Sequence, residues 1–287
     1  MQNPDKHTSI SFELFPPKTD KGMDKLKATV TRLNELQPEY FSVTYGAGGS
    51  TQERTFATVD WLREQGIATA PHLSCIGADK DEIQEILERY RKQGVNRIVA
   101  LRGDLPSGSG LGGLGELNYA NELVSFIRER FADHFHIEVA AYPEFHPQAE
   151  NARVDLDNFA RKVRSGAHGA ITQYFYNPDA YWRFLDDCQA RGIEIPVIPG
   201  IMPITNYHSL ARFSDACGAE IPRWIRKRLE AWGDDLDAIR DFGTEVVSQL
   251  CRNLLDGGAP GLHFYTMNQS GSVINICNNL SIRAPAP

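Results

Sequence analysis

Eight apolar runs of strand length recur along the chain, and helix-like stretches separate them. The runs are 8–14, 40–46, 68–74, 96–102, 136–142, 169–175, 195–201 and 261–266. Most are apolar on both faces, as in parallel strands covered by helices or closed into a barrel. Between them, Ile83, Ile86, Leu87 and Tyr90 fall on one face of a helix over 79–93. Ala120, Leu123, Val124 and Ile127 do the same over 119–131, at the i, i+3, i+4, i+7 spacing that buries one stripe. Pro178 stands where a helix can start, since its missing N–H costs nothing there. Strands alternating with helices through 287 residues predict an α/β fold, a single (β/α)8 barrel spanning 1–287. A doubly wound sheet would want a glycine loop after the first strand, and Phe15-Pro16-Pro17-Lys18 stands there instead. The long segment 202–260 must hold an extra helix between strands seven and eight. It is expected over 221–232, ahead of a helix over 236–255. That helix, with Ile221, Trp224, Ile225 and Trp232, serves packing or association.

Composition narrows the partners. Thirty basic residues against 37 acidic ones give a net charge of −7, the wrong sign for a nucleic-acid or anionic-membrane binder. No run reaches the ~18 apolar residues of a membrane helix, and Met1–His7 is polar, so the expected location is the cytoplasm. Cys75, Cys188, Cys217, Cys251 and Cys277 are scattered and odd in number, which is neither a disulfide framework nor a zinc ribbon. No HExxH and no GxSxG is present, so neither a metal site nor a serine hydrolase is expected. A literal GxGxxG at 108–113 lies in the glycine-rich stretch 107–115 rather than in a strand-to-helix turn. It reads as a loop near the active face.

Barrel chemistry collects at the C-terminal strand ends. There the chain offers Glu13, Thr44-Tyr45-Gly46, His72, Arg102-Gly103-Asp104, Tyr142-Pro143-Glu144, Thr172-Gln173-Tyr174, Pro199-Gly200 and His263-Phe264-Tyr265. Glu13 is the sharpest anomaly, because a carboxylate interrupting an apolar strand is costly unless paired. It is either an ion pair with Arg102 or Lys18, or a general acid whose pKa burial raises. Asp104 is either a turn residue or a fixed charge beside a developing cation, an interaction of about 4 kcal/mol at ~4 Å and an effective dielectric of ~20. The turn at 46–51 could cradle a phosphate ahead of a helix.

Taken in order, FELFPP at 12–17, VTYGA at 43–47, PHLSC at 71–75, LRGD at 101–104, AYPE at 141–144, ITQYF at 171–175 and PGI at 199–201 resemble methylenetetrahydrofolate reductase of the bacterial, barrel-only type. The resemblance implies non-covalent FAD, reduced by NADH or NADPH. It further implies reduction of 5,10-methylenetetrahydrofolate to 5-methyltetrahydrofolate in the same site, by ping-pong kinetics, feeding methionine synthesis. By the same resemblance Glu13 is the general acid and Asp104 the carboxylate that stabilises the iminium. Gln173, Phe213 and Thr44 would bind substrate. Thr44, Tyr45, His72, Arg102, Gly103, Asp104, Tyr119, Ala120, Tyr142, His146, Asp155 and Lys162 would hold FAD, with Ala167 in support. A homo-oligomer is expected, with no nucleic-acid or membrane partner and no metal.

Two departures stand out: the longer glycine-rich stretch 107–115, and Gln269 where the family carries a basic residue. A barrel lyase or aldolase is the competing enzyme, but it wants a Schiff-base lysine and no predicted strand contains one. A flavin-binding protein without catalysis would gain little from two costly carboxylates at the rim.

Overall fold

The structure, a computed structural model, describes residues 8–45, 49–103 and 115–282. Nine parallel strands form one sheet: β1 (Ser9–Leu14), β2 (Tyr40–Val43), β3 (Thr69–Ser74), β4 (Arg97–Leu101), β5 (His136–Ala141), β6 (Gly169–Thr172), β7 (Val197–Ile198), β8 (Gly200–Ile201) and β9 (Gly261–Tyr265). Neighbours follow chain order from β1 to β7, and β9 closes the circuit between β1 and β8. This is the expected α/β barrel.

The seventh expected strand, 195–201, is two short pieces. β7 pairs with β6 through Ala170↔Val197 and Ile171↔Ile198, whereas β8 pairs with β9 through Gly200↔His263 and Ile201↔Phe264. Pro199 lies between them without an N–H to donate, and its carbonyl accepts from His263 N at 3.0 Å. Two other strands stop early. The ladder of β2 ends at Val43, although Thr44 N still donates to Leu14 O. β6 ends at Thr172, beyond which Gln173 Oε1 accepts from Tyr174 N.

The helices are α1 (Asp20–Asn34), α2 (Gly49–Glu64), α3 (Lys80–Lys92), α4 (Ala120–Phe131), α5 (Ala152–Arg164), α6 (Pro178–Gln189), α7 (Tyr207–Cys217), α8 (Arg223–Trp232), α9 (Leu236–Asp256) and α10 (Gly271–Asn279). Many start on a side-chain cap: Thr19, Asp79, Asn151, Asn177, Asn206 and Asp235 each accept from a first-turn N–H, satisfying a donor the helix itself leaves open. Between β8 and β9 the chain forms three helices where two were expected; α7 is the addition, with apolar Leu210 buried and Phe213 left at the surface.

Alternation along β1 divides the interior. Ile10, Phe12 and Leu14 belong to the main core between sheet and helices, as the two-residue period of a strand requires. Ser11 and Glu13 face the other way, into the barrel. That interior holds its own apolar cluster of Tyr40, Ala70, Val99 and Ile171. Its opposite, N-terminal pole is tied by Arg97, whose Nη1 donates to the buried Glu138 at 2.7 Å while its guanidinium lies 4.5 Å over the Tyr40 ring. All five cysteines are free. No helix among the described residues is long and apolar enough to cross a membrane.

Candidate active site

β1 delivers Glu13 to the C-terminal mouth. Its Oε2 lies 3.5 Å from His72 Nε2 on β3, with the carboxyl side chain 15% exposed. The expected alternatives of Arg102 or Lys18 as ion partner are not realised. Arg102 Nε donates to Gly103 O and its Nη2 contacts Gln148, and Lys18 is exposed. Without a cation, burial pushes the Glu13 carboxyl up to about 8. Burial also pulls His72 down to about 4. Both groups are therefore neutral near pH 7, and their contact is that of a protonated acid with a neutral imidazole. His72 Nε2 is buried and makes no hydrogen bond.

Below this pair, Ser11 Oγ and His263 Nδ1 are hydrogen-bonded at 2.7 Å. Burial first, and then the nearby His72, hold His263 down to about 3. Tyr265 closes the floor: its hydroxyl donates to Thr172 O at 2.7 Å, and its ring stands edge-on to His263 at 5.4 Å. Thr172 Oγ1 in turn accepts from Gly200 N at 2.9 Å. Thr266 and Asn268, just after β9, bind the backbone around Glu13.

A second group of the expected residues gathers around β3, β4, β5 and α5. Gly103 has φ +88°, and a Cβ there would lie 1.9 Å from Ser74 Oγ, so glycine is demanded both by conformation and by space. Tyr142 and His146 stack edge to face at 4.6 Å, and Asp155 accepts from His146 N at 2.9 Å. Lys162 reaches under β5 to donate to Ala140 O. Burial lowers its ammonium to about 8, against the pull of Asp155. Thr44 O accepts from Thr55 Oγ1, and Tyr45 OH from Gln52 Nε2. Ala167 is buried.

Gln173 lines a small cavity with Tyr142, Glu144, Tyr174, Cys217 and Ala219. Tyr174 OH and Ser214 Oγ, 3.0 Å apart, tie α7 to this edge, and Phe213, 39% exposed, is the preceding residue of that helix. Tyr119 is exposed and Ala120 half-buried at the start of α4, where the Glu122 carboxylate accepts from Asn118 N and Tyr119 N. Asp104, the turn residues Gly46–Gly48 and nearly all of the glycine-rich stretch 107–115 lie outside the described residues. Gln269 is exposed, its N–H donating to Thr266 O. The larger surface cavities, on α3 and beside Trp224, contain none of these residues.

His263, Tyr265 and Thr266 were expected only as the end of the last strand, with no role assigned, and Asn268 was not anticipated at all. No cluster of three metal-binding side chains occurs among the described residues.

The fold is an α/β barrel that carries a buried carboxyl at its C-terminal mouth, where such barrels hold their active sites. The family model described as methylenetetrahydrofolate reductase matches residues 1–281. The chain is 40% identical over 276 residues to the 5,10-methylenetetrahydrofolate reductase of Escherichia coli K12, covering 96% of this chain and 91% of that one. It is 36% identical over 290 residues to maize methylenetetrahydrofolate reductase (NADH) 1, covering 97% of this chain and 49% of that longer protein. A solved Clostridium thermocellum protein, described as binding two copies of 5-methyl-5,6,7,8-tetrahydrofolic acid, shares the fold at a TM-score of 0.68 and 17% identity, over 96% of this chain and 94% of that one. The chain belongs to the methylenetetrahydrofolate reductase family, and it is an oxidoreductase.

Proposed function

We propose that the protein reduces 5,10-methylenetetrahydrofolate to 5-methyltetrahydrofolate, with FAD as carrier and NADH or NADPH as donor, in two half-reactions that use one mouth. The observation that carries this reading is the buried Glu13 carboxyl at the rim, 3.5 Å from the buried His72 imidazole and without a lysine or arginine partner, a setting in which burial raises the carboxyl. The methylene carbon bridges N5 and N10 of the folate. Breaking its bond to N10 leaves a cationic N5 iminium and needs a proton for N10. Glu13 supplies that proton, and a hydride delivered to the carbon completes the methyl group. Such an acid works best with a pKa near the working pH, and the burial of Glu13 sets it there.

The residues present fit FAD. His72 Nε2, buried beside Glu13 at the mouth, makes no hydrogen bond within the chain. Arg102 and Lys162 supply positive charge on the β4–α5 side, as a diphosphate requires. Tyr142 and Tyr119 offer aromatic faces, and the backbone at Gly103 admits no side chain. FAD, when bound, supplies a hydride acceptor for the nicotinamide and a hydride donor for the folate. Thr44, Tyr45, Ala120, His146 and Asp155 complete its proposed pocket, with Gln173 and Phe213 on the substrate side. Asp104 is proposed to stabilise the iminium, on the strength of the LRGD element.

The names of the relatives support this reading, and that of the maize protein specifies NADH as the donor there. Cytoplasmic location, homo-oligomeric assembly and supply of methionine synthesis accompany it. The test is anaerobic and spectroscopic. Protein loaded with FAD bleaches with NADH or NADPH, and the bleached protein recovers colour on adding 5,10-methylenetetrahydrofolate. Protein that cannot be loaded with FAD, or that bleaches and never recovers with the folate, overturns the proposal. Asp104→Asn should slow recovery while FAD stays bound; release of FAD would make Asp104 structural.

A further inference from the structure

The acid needs a fixed address, and the strand that carries it, still paired with β2 through Leu14↔Val43, loses its ladder on the β9 side just after Glu13. The pairing of β1 with β9 ends at Glu13↔Tyr265. Three and four residues later come Pro16 and Pro17, which have no N–H and cannot extend a ladder. The loop after β9 takes over. Thr266 Oγ1 donates to Glu13 O at 2.6 Å and accepts from Asn268 N at 3.1 Å. Asn268 Oδ1 accepts from Phe15 N at 3.0 Å while its Nδ2 donates to Phe15 O at 2.8 Å. One amide side chain thus pairs with both backbone groups of Phe15, as a further rung of sheet would. To present it, Met267 and Asn268 both adopt left-handed backbone, at φ 51° and 54°, a conformation non-glycine residues hold only when their surroundings impose it. Thr29 of α1 braces the turn by donating to Asn268 O at 3.2 Å.

We propose that Thr266 and Asn268 are positioning residues for the acid: by fixing the backbone on both sides of Glu13 they set where its carboxyl stands in the mouth. The inference rests on the reading of Glu13 as the proton donor. Neither side chain reaches the reacting atoms; both act through Glu13. The groups facing that carboxyl are His72 from β3 and Tyr265 from β9, the latter with Glu13 among the influences that raise it. Neither offers a positive charge, so the position of the carboxyl governs how far it is sheltered from water.

The test uses three variants. Asn268→Gly removes the amide yet suits the left-handed backbone, so loss of the clamp is separated from loss of the turn. Thr266→Val removes the hydroxyl, and Thr266→Ser restores it. Two readouts are taken on the full chain: the rates of the two half-reactions with FAD bound, and the titration of the Glu13 carboxyl carbon by NMR without FAD, assigned with Glu13→Gln. Asn268→Gly and Thr266→Val should slow folate reduction about tenfold or more, with the nicotinamide step within about twofold, since small misplacements of a reacting group are costly. The Glu13 titration should move to lower pH in both variants, and Thr266→Ser should behave as the parent. Equal loss in both half-reactions, or an unmoved Glu13 titration, overturns the proposal. If the parent protein has no folate step at all, the function reading falls instead, and the Glu13 titration alone decides whether the clamp holds the carboxyl.

Discussion

Glu13 Oε2 and His72 Nε2 stand 3.5 Å apart across the barrel mouth, and at neutral pH neither carries a charge. An ion pair at this separation would hold the carboxyl below its usual range and the imidazole above its own. Here burial moves both the other way, so the contact stores a proton on the carboxyl rather than sharing it.

Glu13→Gln should therefore keep the nicotinamide half-reaction within about twofold and lower the folate half-reaction by roughly 10²–10⁴, the usual worth of a positioned acid. In the parent, the folate step should fall as pH rises through about 8, where the carboxyl ionises, and that limb should vanish in the variant. Stopped-flow absorbance of the flavin across pH measures both.

The same group leaves a mark on stability. Its pKa is about 8 in the folded chain against 4.5 for an ordinary glutamate. The folded state thus holds the proton more tightly. Its contribution is fully present below pH 4.5 and is lost as pH rises through about 8. The loss is on the order of a few kcal/mol. His72 works in the opposite direction: folded at about 4 against 6.5, it costs stability as pH falls through that interval. Urea midpoints at about pH 5 and about pH 9 should show Glu13→Gln gaining on the parent only at the alkaline end.

Gly103→Ala should destabilise by about 1–3 kcal/mol, from a strained φ and a blocked Cβ. The new methyl lies 1.9 Å from Ser74 Oγ, whose hydroxyl already donates to Arg102 O. Ser74→Ala in the same chain relieves the collision but not the φ, so recovery should be partial. Thermal melts and FAD titrations on the single and double variants report this.

At the opposite pole, Arg97→Met strands Glu138, which is nearly fully buried. Breaking a buried pair costs about 3–5 kcal/mol, tempered here because His136 Nε2 also lies 3.0 Å from the same carboxylate. Both half-reactions should stay within about twofold of the parent well below the melting temperature, because this network approaches the mouth through ring packing, Arg97 over Tyr40 at 4.5 Å and Tyr40 stacked on His263 at 6.2 Å, and an apolar methionine stem can still cover that ring. Slowing of either one would contradict the separation of the two poles.

Much of this was written plainly in the chain. The barrel followed from eight strand-length runs, most of them apolar on both faces, and the anomaly of Glu13 from a charge in the first of them. The helix start at Pro178 was equally local. What escaped were features set by partners far away in sequence. The split at Pro199 depends on which strand each neighbour pairs with. The choice of His72 over Arg102 as companion of Glu13 depends on barrel register. The clamp of Asn268 on Phe15 joins residues 253 positions apart, and an asparagine in a loop gives no warning of it. Helix α7 has too short an apolar stripe to stand out from a 59-residue stretch.

The break at Pro199 leaves the wall with a seam. Each side of it is held by a ladder only two residues long, whereas β1 and β9 pair over five. Local opening follows the weakest run of hydrogen bonds, so the circuit unzips here before it does anywhere else. Amide exchange in 197–201 would report that first breathing of the ring, while the staves on the far side stay shut.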